Sequence, residues 1–259
     1  MKTELFYDFD ENGNEKPLET RPVGGGFCSI LEKVGCIGDS LASGEFESLD
    51  ANGNRAYHDM FHHSWGQYMA RECGFTALNF SRGGMTAKEY LESFGEQMGY
   101  FAPELACKVY IIALGVNDVI NARAPVGSVD DPLDSGTFAG YYAELVRRYK
   151  EISPDAKFFF VTMPRHGDSG DSLRAEHAKI LHAFTEKFAN SYVIDLFENA
   201  PIYDSAFYKK FFLGGHMTPC GYKFTASMFI SYIDYIIRHN MDDFKQLGFI
   251  GTEFSYIEK

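Results

Sequence analysis

An α/β fold built on a parallel five-stranded sheet, with helices on both faces, follows from three features of this 259-residue chain. Five short apolar runs read as buried strands: VGCI at 34–37, FTALNF at 75–80, VYIIAL at 109–114, FFFVTM at 158–163 and YVIDL at 192–196. The segments between them carry apolar residues at helical spacing. No two runs are joined by a two-residue hairpin turn. Strands that alternate with helices pair in parallel, because each crossover must carry the chain back along the sheet, and this predicts a three-layer α/β/α architecture.

Each element has its own signal. Residues 1–33 are polar and acidic, with a hairpin turn expected at Asn12-Gly13 and a flexible joint at Gly24-Gly25-Gly26. They read as an N-terminal extension packed on the core. A polar loop of about twenty residues follows the first strand, long enough to mark a functional loop. Ser64 to Cys73 reads as a helix, with Trp65, Tyr68, Met69 and Cys73 on one face. Thr86 and Glu89 form the T-x-x-E pattern of a capping box that opens the next helix. The segment 119–136 reads as loop. Phe138, Tyr141, Tyr142, Leu145, Val146 and Tyr149 mark one helix face, and Leu173, His177, Ile180, Leu181, Phe184 and Phe188 mark another. The last helix starts at Thr218-Pro219, with Thr as N-cap and Pro at the first helical position, and runs to about Asn240. The division is an extension over 1–33, one domain over 34–240 and a tail over 241–259. With the flavodoxin-like strand order 2-1-3-4-5, the crevice lies beyond strands 1 and 3.

Composition sets limits on function. A net charge of −12 argues against nucleic acid or an anionic membrane surface as partner. Five scattered cysteines (Cys28, Cys36, Cys73, Cys107, Cys220) contain no CxxC pair, so neither a zinc ribbon nor a redox motif is suggested. His58 and His62 are four apart, but no acidic motif accompanies them, and no metal or cofactor is expected. No apolar run reads as a signal peptide or a membrane span, so the chain reads as cytoplasmic. Oligomeric state is not legible.

The chemistry gathers at strand ends. Strand 1 runs into Gly38-Asp39-Ser40, which places a hydroxyl where ligands bind in open parallel sheets. Alone, such a tripeptide is most often a turn. Three further segments change its meaning: NFSRGGMT after strand 2, GVND after strand 3 and His216 before the last helix. With GDSLASGE, these four blocks in this order resemble the SGNH (GDSL) hydrolase superfamily over about residues 34–240. The resemblance implies a flavodoxin-like α/β/α fold and ester hydrolysis. It makes Ser40 the nucleophile and His216 the general base, with Ser40, Gly84 and Asn117 as oxyanion stabilisers. Those roles suit the residue types. A serine hydroxyl needs a base within hydrogen-bond reach. Gly84 has no Cβ to block close approach and precedes the Thr86 cap, near the positive end of a helix dipole.

One block departs from the family pattern. The usual D-x-x-H acid is replaced by Leu213. Three readings stay open. A backbone carbonyl near Leu213 accepts the imidazole N–H and gives a Ser–His dyad, an acid from elsewhere such as Asp204 reaches in, or the site is impaired; the dyad is preferred. Glu45, Arg165 and His166 are candidate substrate contacts, and Asp39 and Asp118 read as structural turn acids. Trp65 reads as core. The expected function is a serine esterase acting through an acyl-enzyme on a small-molecule ester, a short acyl group (acetyl first) on a carbohydrate or other polar carrier. The alternative is a non-catalytic binding module on the same fold.

Overall fold

The computed structural model describes residues 14–256. Its strands, in chain order, are β1 (Lys33–Gly38), β2 (Glu45–Leu49), β3 (Arg55–Asp59), β4 (Thr76–Ser81), β5 (Val109–Ala113), β6 (Lys157–Val161), β7 (Ser191–Ile194), β8 (Phe212–Leu213) and β9 (His216–Met217). Five of them form one parallel sheet in the order β4-β1-β5-β6-β7. That is the expected 2-1-3-4-5 order counted over the sheet's own strands. Val34 pairs with Ala77 on one side and Val109 on the other.

The side-chain period of a strand explains how both faces are covered. Val109, Ile111, Phe159 and Val161 face one cluster, built with Trp65 and the helix Pro219–His239. Tyr110, Ile112, Phe158 and Phe160 face the other, built with the helix Phe138–Ile152 and Tyr90. The run Phe158-Phe159-Phe160 is thus divided between two cores, and all three side chains are fully buried. Apolar burial on both faces is the reason these strands read as unbroken hydrophobic runs.

Several boundaries differ from expectation, each for a local reason. β6 and β7 stop at Val161 and Ile194, short of Met163 and Leu196. The side chains of Thr162 and Asp195 then bond each other, Oγ1 to Oδ1 at 3.0 Å, and Asp195 caps the helix Leu196–Asn199 through the Glu198 N–H. The segment after β1 is an antiparallel hairpin of β2 and β3 and not a loop. Its turn is set by Asp50, which accepts the N–H groups of Asn52 and Asn54. The segment opening with Val116–Ile120 is a single wide helical turn. The turn expected at Asn12-Gly13 lies outside the described residues. Gly24, Gly25 and Gly26 form a packed turn and not a flexible joint: a Cβ on Gly25 would lie 2.6 Å from Cys73 Sγ, and one on Gly26 would lie 2.2 Å from Asp234 Oδ1. Beyond residue 240, Phe244, Leu247 and Ile250 are buried against the first cluster and belong to the core.

Two local constraints hold the site end of the sheet. Gly38 ends β1, and a Cβ there would lie 2.5 Å from Ala42 Cβ and 2.8 Å from the Ala113 carbonyl oxygen. The chain can fold back over its own strand only because that Cβ is missing. Asp118 has no exposed surface; its Oδ1 accepts the Ala87 N–H at 2.9 Å, and its Oδ2 has no hydrogen-bond partner. Burial pushes the Asp118 carboxyl up to about 7.

Gly38→Ala is expected to destabilise the protein by about 1–3 kcal/mol through overpacking, read as a lower denaturant midpoint. For Asp118, the folded state holds its proton above the pH at which an unfolded Asp releases it. Stability should therefore fall as pH rises from about 4 to about 7, by at most about 1.4 kcal/mol per pH unit. Asp118→Asn keeps the acceptor for the Ala87 N–H and removes this titration. Its thermal midpoint should gain on the unsubstituted protein across that pH window.

Candidate active site

Ser40 is the first residue of a short helix, Ser40–Ser43, that begins two residues after β1. Asp39 is its N-cap and accepts the Leu41 N–H at 3.0 Å. A first-turn residue has no acceptor for its N–H within its own helix, so the Ser40 N–H is available beside the Ser40 hydroxyl. Asp39 is buried, and burial, reinforced by the nearby Glu45 charge, pushes its carboxyl up to about 6 against the Leu41 hydrogen bond.

The neighbouring strand ends bring the next groups. Gly84 follows β4 with φ of +71° and open space where a Cβ would stand. Its carbonyl accepts from Arg123 Nη1 at 2.9 Å. Asn117 is buried after β5, and its amide donates to the Met85 carbonyl at 3.1 Å and to Asp39 Oδ2 at 3.4 Å. Asn121 Nδ2 donates to Asn117 Oδ1 at 2.9 Å. The Met85 carbonyl can only accept, and that bond fixes which end of the Asn117 amide carries the donors. Asn117 therefore ties the loops after β1, β4 and β5 together.

His216 comes from the other direction, on β9, a two-residue strand paired with β8. The β2–β3 hairpin lies over it. Glu45 Oε1 is 3.0 Å from His216 Nε2, Glu47 Oε2 is 3.5 Å from Nδ1, and the Tyr57 ring meets the imidazole edge-on at 5.6 Å. Gly83 packs directly on Glu45, since a Cβ there would overlap Oε2. The two carboxyls differ. Burial raises that of Glu45 despite the opposing His216 charge. The Gly215 N–H, then the Arg55 and His216 charges, hold that of Glu47 below the usual carboxylate range. Among the described residues no hydrogen bond joins Ser40 Oγ to His216. Nε2 is directed at Glu45 instead.

Ser40, Gly84, Asn117 and His216 all line one cavity of about 840 Å³. Its floor is apolar, with Leu114, Val161, Met163 and Phe229, and its rim carries Tyr57, Arg123, His166 and Tyr208. Trp65 forms part of the floor, buried at 4.9 Å from the Phe229 ring. A hydroxyl, an imidazole and convergent amide groups in one partly apolar cavity form the set of groups that acyl transfer requires.

The other expected residues separate. His166 lines the cavity between the Tyr203 and Tyr208 rings, and its burial lowers its basicity. Arg165 is not among the lining residues; its guanidinium pairs with Glu198 at 2.5 Å and lies over the Phe197 ring. Glu45 lines the cavity but is spent on His216 and Gly83. Asp204 is exposed and caps the helix Ser205–Phe211 through the Phe207 N–H at 2.9 Å, which occupies it away from the imidazole. Leu213 pairs with His216 across a two-residue turn, and no hydrogen bond from Nδ1 reaches its carbonyl. Sequence reasoning missed Glu47, Tyr57 and Asn121. For the first two a signal was present: Asn52-Gly53 between ESL and RAYHD marks a hairpin, which would have put alternate residues of 45–49 on one face.

Comparison with known proteins agrees with this fold. The GDSL-like Lipase/Acylhydrolase family matches residues 36–224. No match was found among curated protein sequences. Among solved structures, a family two carbohydrate esterase from Clostridium thermocellum, in complex with cellohexaose, superposes with a TM-score of 0.57 at 15% identity, covering 82% of this chain and 65% of that one. A lipase/acylhydrolase from Enterococcus faecalis gives 0.53 at 19% identity, covering 80% and 97%. An acetyl xylan esterase gives 0.51 at 17% identity, covering 78% and 99%. At such identities the structural likeness speaks for the fold. The family match spans most of the chain and includes the Ser40, Gly84, Asn117 and His216 blocks, so this protein belongs to the GDSL-like lipase/acylhydrolase family of SGNH hydrolases.

Proposed function

We propose that this protein is a serine esterase that removes a short acyl group, acetyl first, from a carbohydrate or other small polar carrier, with residues 34–240 as its catalytic domain. The observation that carries the reading is that Ser40 and His216, from opposite ends of the chain, line one cavity with Gly84 and Asn117. The family supplies the reaction class, and carbohydrate and acetyl xylan esterases among the structural neighbours favour the carrier.

In the first step His216 Nε2 takes the proton of Ser40 as Oγ bonds to the ester carbonyl carbon. The N–H groups of Ser40 and Gly84 serve the oxyanion, joined by the Asn117 amide once it gives up its long 3.4 Å bond to Asp39 Oδ2; losing one such donor typically costs about 10²–10³ in kcat. The carbon–oxygen bond to the alcohol breaks, and the imidazolium hands its proton to the departing alkoxide. Water, deprotonated by His216, then attacks the acyl-serine, and the serine proton returns. The apolar floor takes the acyl group, while His166, Tyr57 and Tyr208 face the alcohol side. For Nε2 to serve Ser40 it must leave Glu45.

The Nε2–Glu45 contact is also what favours a second reading, a binding module whose imidazole is committed elsewhere. Turnover decides between them. The unsubstituted protein should hydrolyse p-nitrophenyl acetate and acetylated sugars, with rates falling as the acyl chain lengthens. Ser40→Ala should lose on the order of 10³–10⁶ in kcat, and Asn117→Ala about 10²–10³. Equal rates for Ser40→Ala and the unsubstituted protein would remove the nucleophile, and no turnover by either would leave the binding module.

A further inference from the structure

A general base must keep one ring nitrogen protonated while the other works, and in this chain leucine stands at 213, where the family pattern has an acid. The support has to come from somewhere else in the fold. β2 offers it by simple geometry. Glu45 and Glu47 are two residues apart on one strand, so their side chains leave the same face roughly 7 Å apart. The His216 ring sits between them.

The two ends of the ring are not equivalent. Glu45 Oε1 lies against Nε2, the nitrogen that must receive the Ser40 proton, so Glu45 cannot be the support. Glu47 Oε2 lies 3.5 Å from Nδ1, a buried nitrogen with no hydrogen-bond partner among the described residues, and is the carboxylate that faces it. Glu47 is itself held from several sides. The Gly215 N–H donates to its Oε2 at 2.8 Å, Arg55 Nε pairs with its Oε1 at 2.7 Å, and a Cβ on Gly214 would lie 2.4 Å from Oε1. Gly214 has φ of +66°, so it both makes the turn before His216 and admits the carboxylate. A carboxylate fixed this firmly, its side chain only 6% exposed, can orient a ring without moving itself.

We infer that Glu47 is the positioning carboxylate of His216, delivered by the β2–β3 hairpin in place of the acid missing at 213. This rests on the serine-esterase reading above. Nδ1 keeps its proton and donates it to Glu47 throughout; Nε2 takes the Ser40 proton and passes it to the leaving alkoxide. Glu47 gains and loses no proton, and its charge offsets the imidazolium that forms. The hairpin is thereby a working part of the site. Its role also explains why a segment of mostly exposed residues over 48–59 is kept as regular structure.

The other charged or titratable groups near the ring and its two carboxylates are Asp39 beyond β1, Glu45 on β2, Arg55, Tyr57, His58 and Asp59 on β3, and Tyr222 on the helix Pro219–His239. Glu47→Gln leaves them all in place. It also keeps an acceptor for the Gly215 N–H, so it removes charge with little change of shape. With p-nitrophenyl acetate we expect kcat to fall by about 10²-fold or more, against the ~10⁴ that a lost tautomer costs in a serine-protease triad. KM should stay within about twofold. The rising limb of kcat/KM against pH should move to lower pH, because the imidazolium loses an anionic neighbour. Arg55→Ala, which strips a cation from the same carboxylate, should move that limb the other way. A merely structural Glu47 would lower kcat without moving the limb, and that result, or an unchanged kcat, overturns the inference. Should Glu47→Gln fail to fold, ¹⁵N-histidine spectra of the unsubstituted protein decide: neutral His216 protonated at Nδ1 supports the role, and protonation at Nε2 refutes it. Loss of activity in Ser40→Ala beside full activity in Glu47→Gln would sink this inference alone and leave the esterase reading intact.

Discussion

Both faces of the central strands are sealed from water, and that constraint decides where polar chemistry can stand in this protein. β1, β5 and β6 are buried over nearly their whole length, with aromatic side chains filling both layers. A hydroxyl or carboxylate placed mid-strand would have to be desolvated without a partner, at a cost of several kcal/mol. Polar groups are therefore pushed to the carboxyl edge, where the chain must turn in any case. Asp39, Asn117 and Asp118 all sit there, and each is tied to backbone or side chains from a neighbouring loop. The edge is a hydrogen-bonded rim as much as a set of separate loops.

Close backbone approach does the remaining positioning. Gly38 lets the Ser40 turn fold onto the Ala113 carbonyl, Gly83 admits the Glu45 carboxylate, and Gly214 admits that of Glu47. None of these contacts tolerates a Cβ without a shift of its neighbour. The hairpin over 45–59 has few buried residues of its own; its inner end is held by Tyr222, whose hydroxyl donates to the Glu45 carbonyl at 2.7 Å. A long helix at the end of the chain thus fixes the strand that faces the imidazole. The first and last thirds of the sequence meet at this one point.

The resting arrangement of His216 carries a functional implication. The ring faces a carboxylate at each nitrogen, and Nε2 is directed at Glu45 and not at Ser40. On the esterase reading, catalysis begins when Nε2 exchanges Glu45 for Ser40. Burial raises the carboxyl of Glu45, so its charge is held less firmly than that of Glu47. Glu47, held below the ordinary carboxylate range by Gly215 and Arg55, stays charged and stays put. The two acids on one strand face are thereby suited to different tasks by their surroundings.

The sheet, its strand order and the Ser40, Gly84, Asn117 and His216 blocks were legible in the linear sequence. Each depends on local signals: apolar runs, strand–helix alternation, and turn residues directly after a strand. Shorter β6 and β7 were not legible, because the Thr162–Asp195 bond that ends them joins residues 33 apart. The environment of His216 was not legible either. Glu47 and Gly215 are separated by 168 residues, and nothing in either segment announces the other. Periodicity and turn chemistry act within a few residues and can be read along the chain. Which carboxylate reaches an imidazole is settled only when packing of distant elements brings their surfaces together, and that was the work of the tertiary structure.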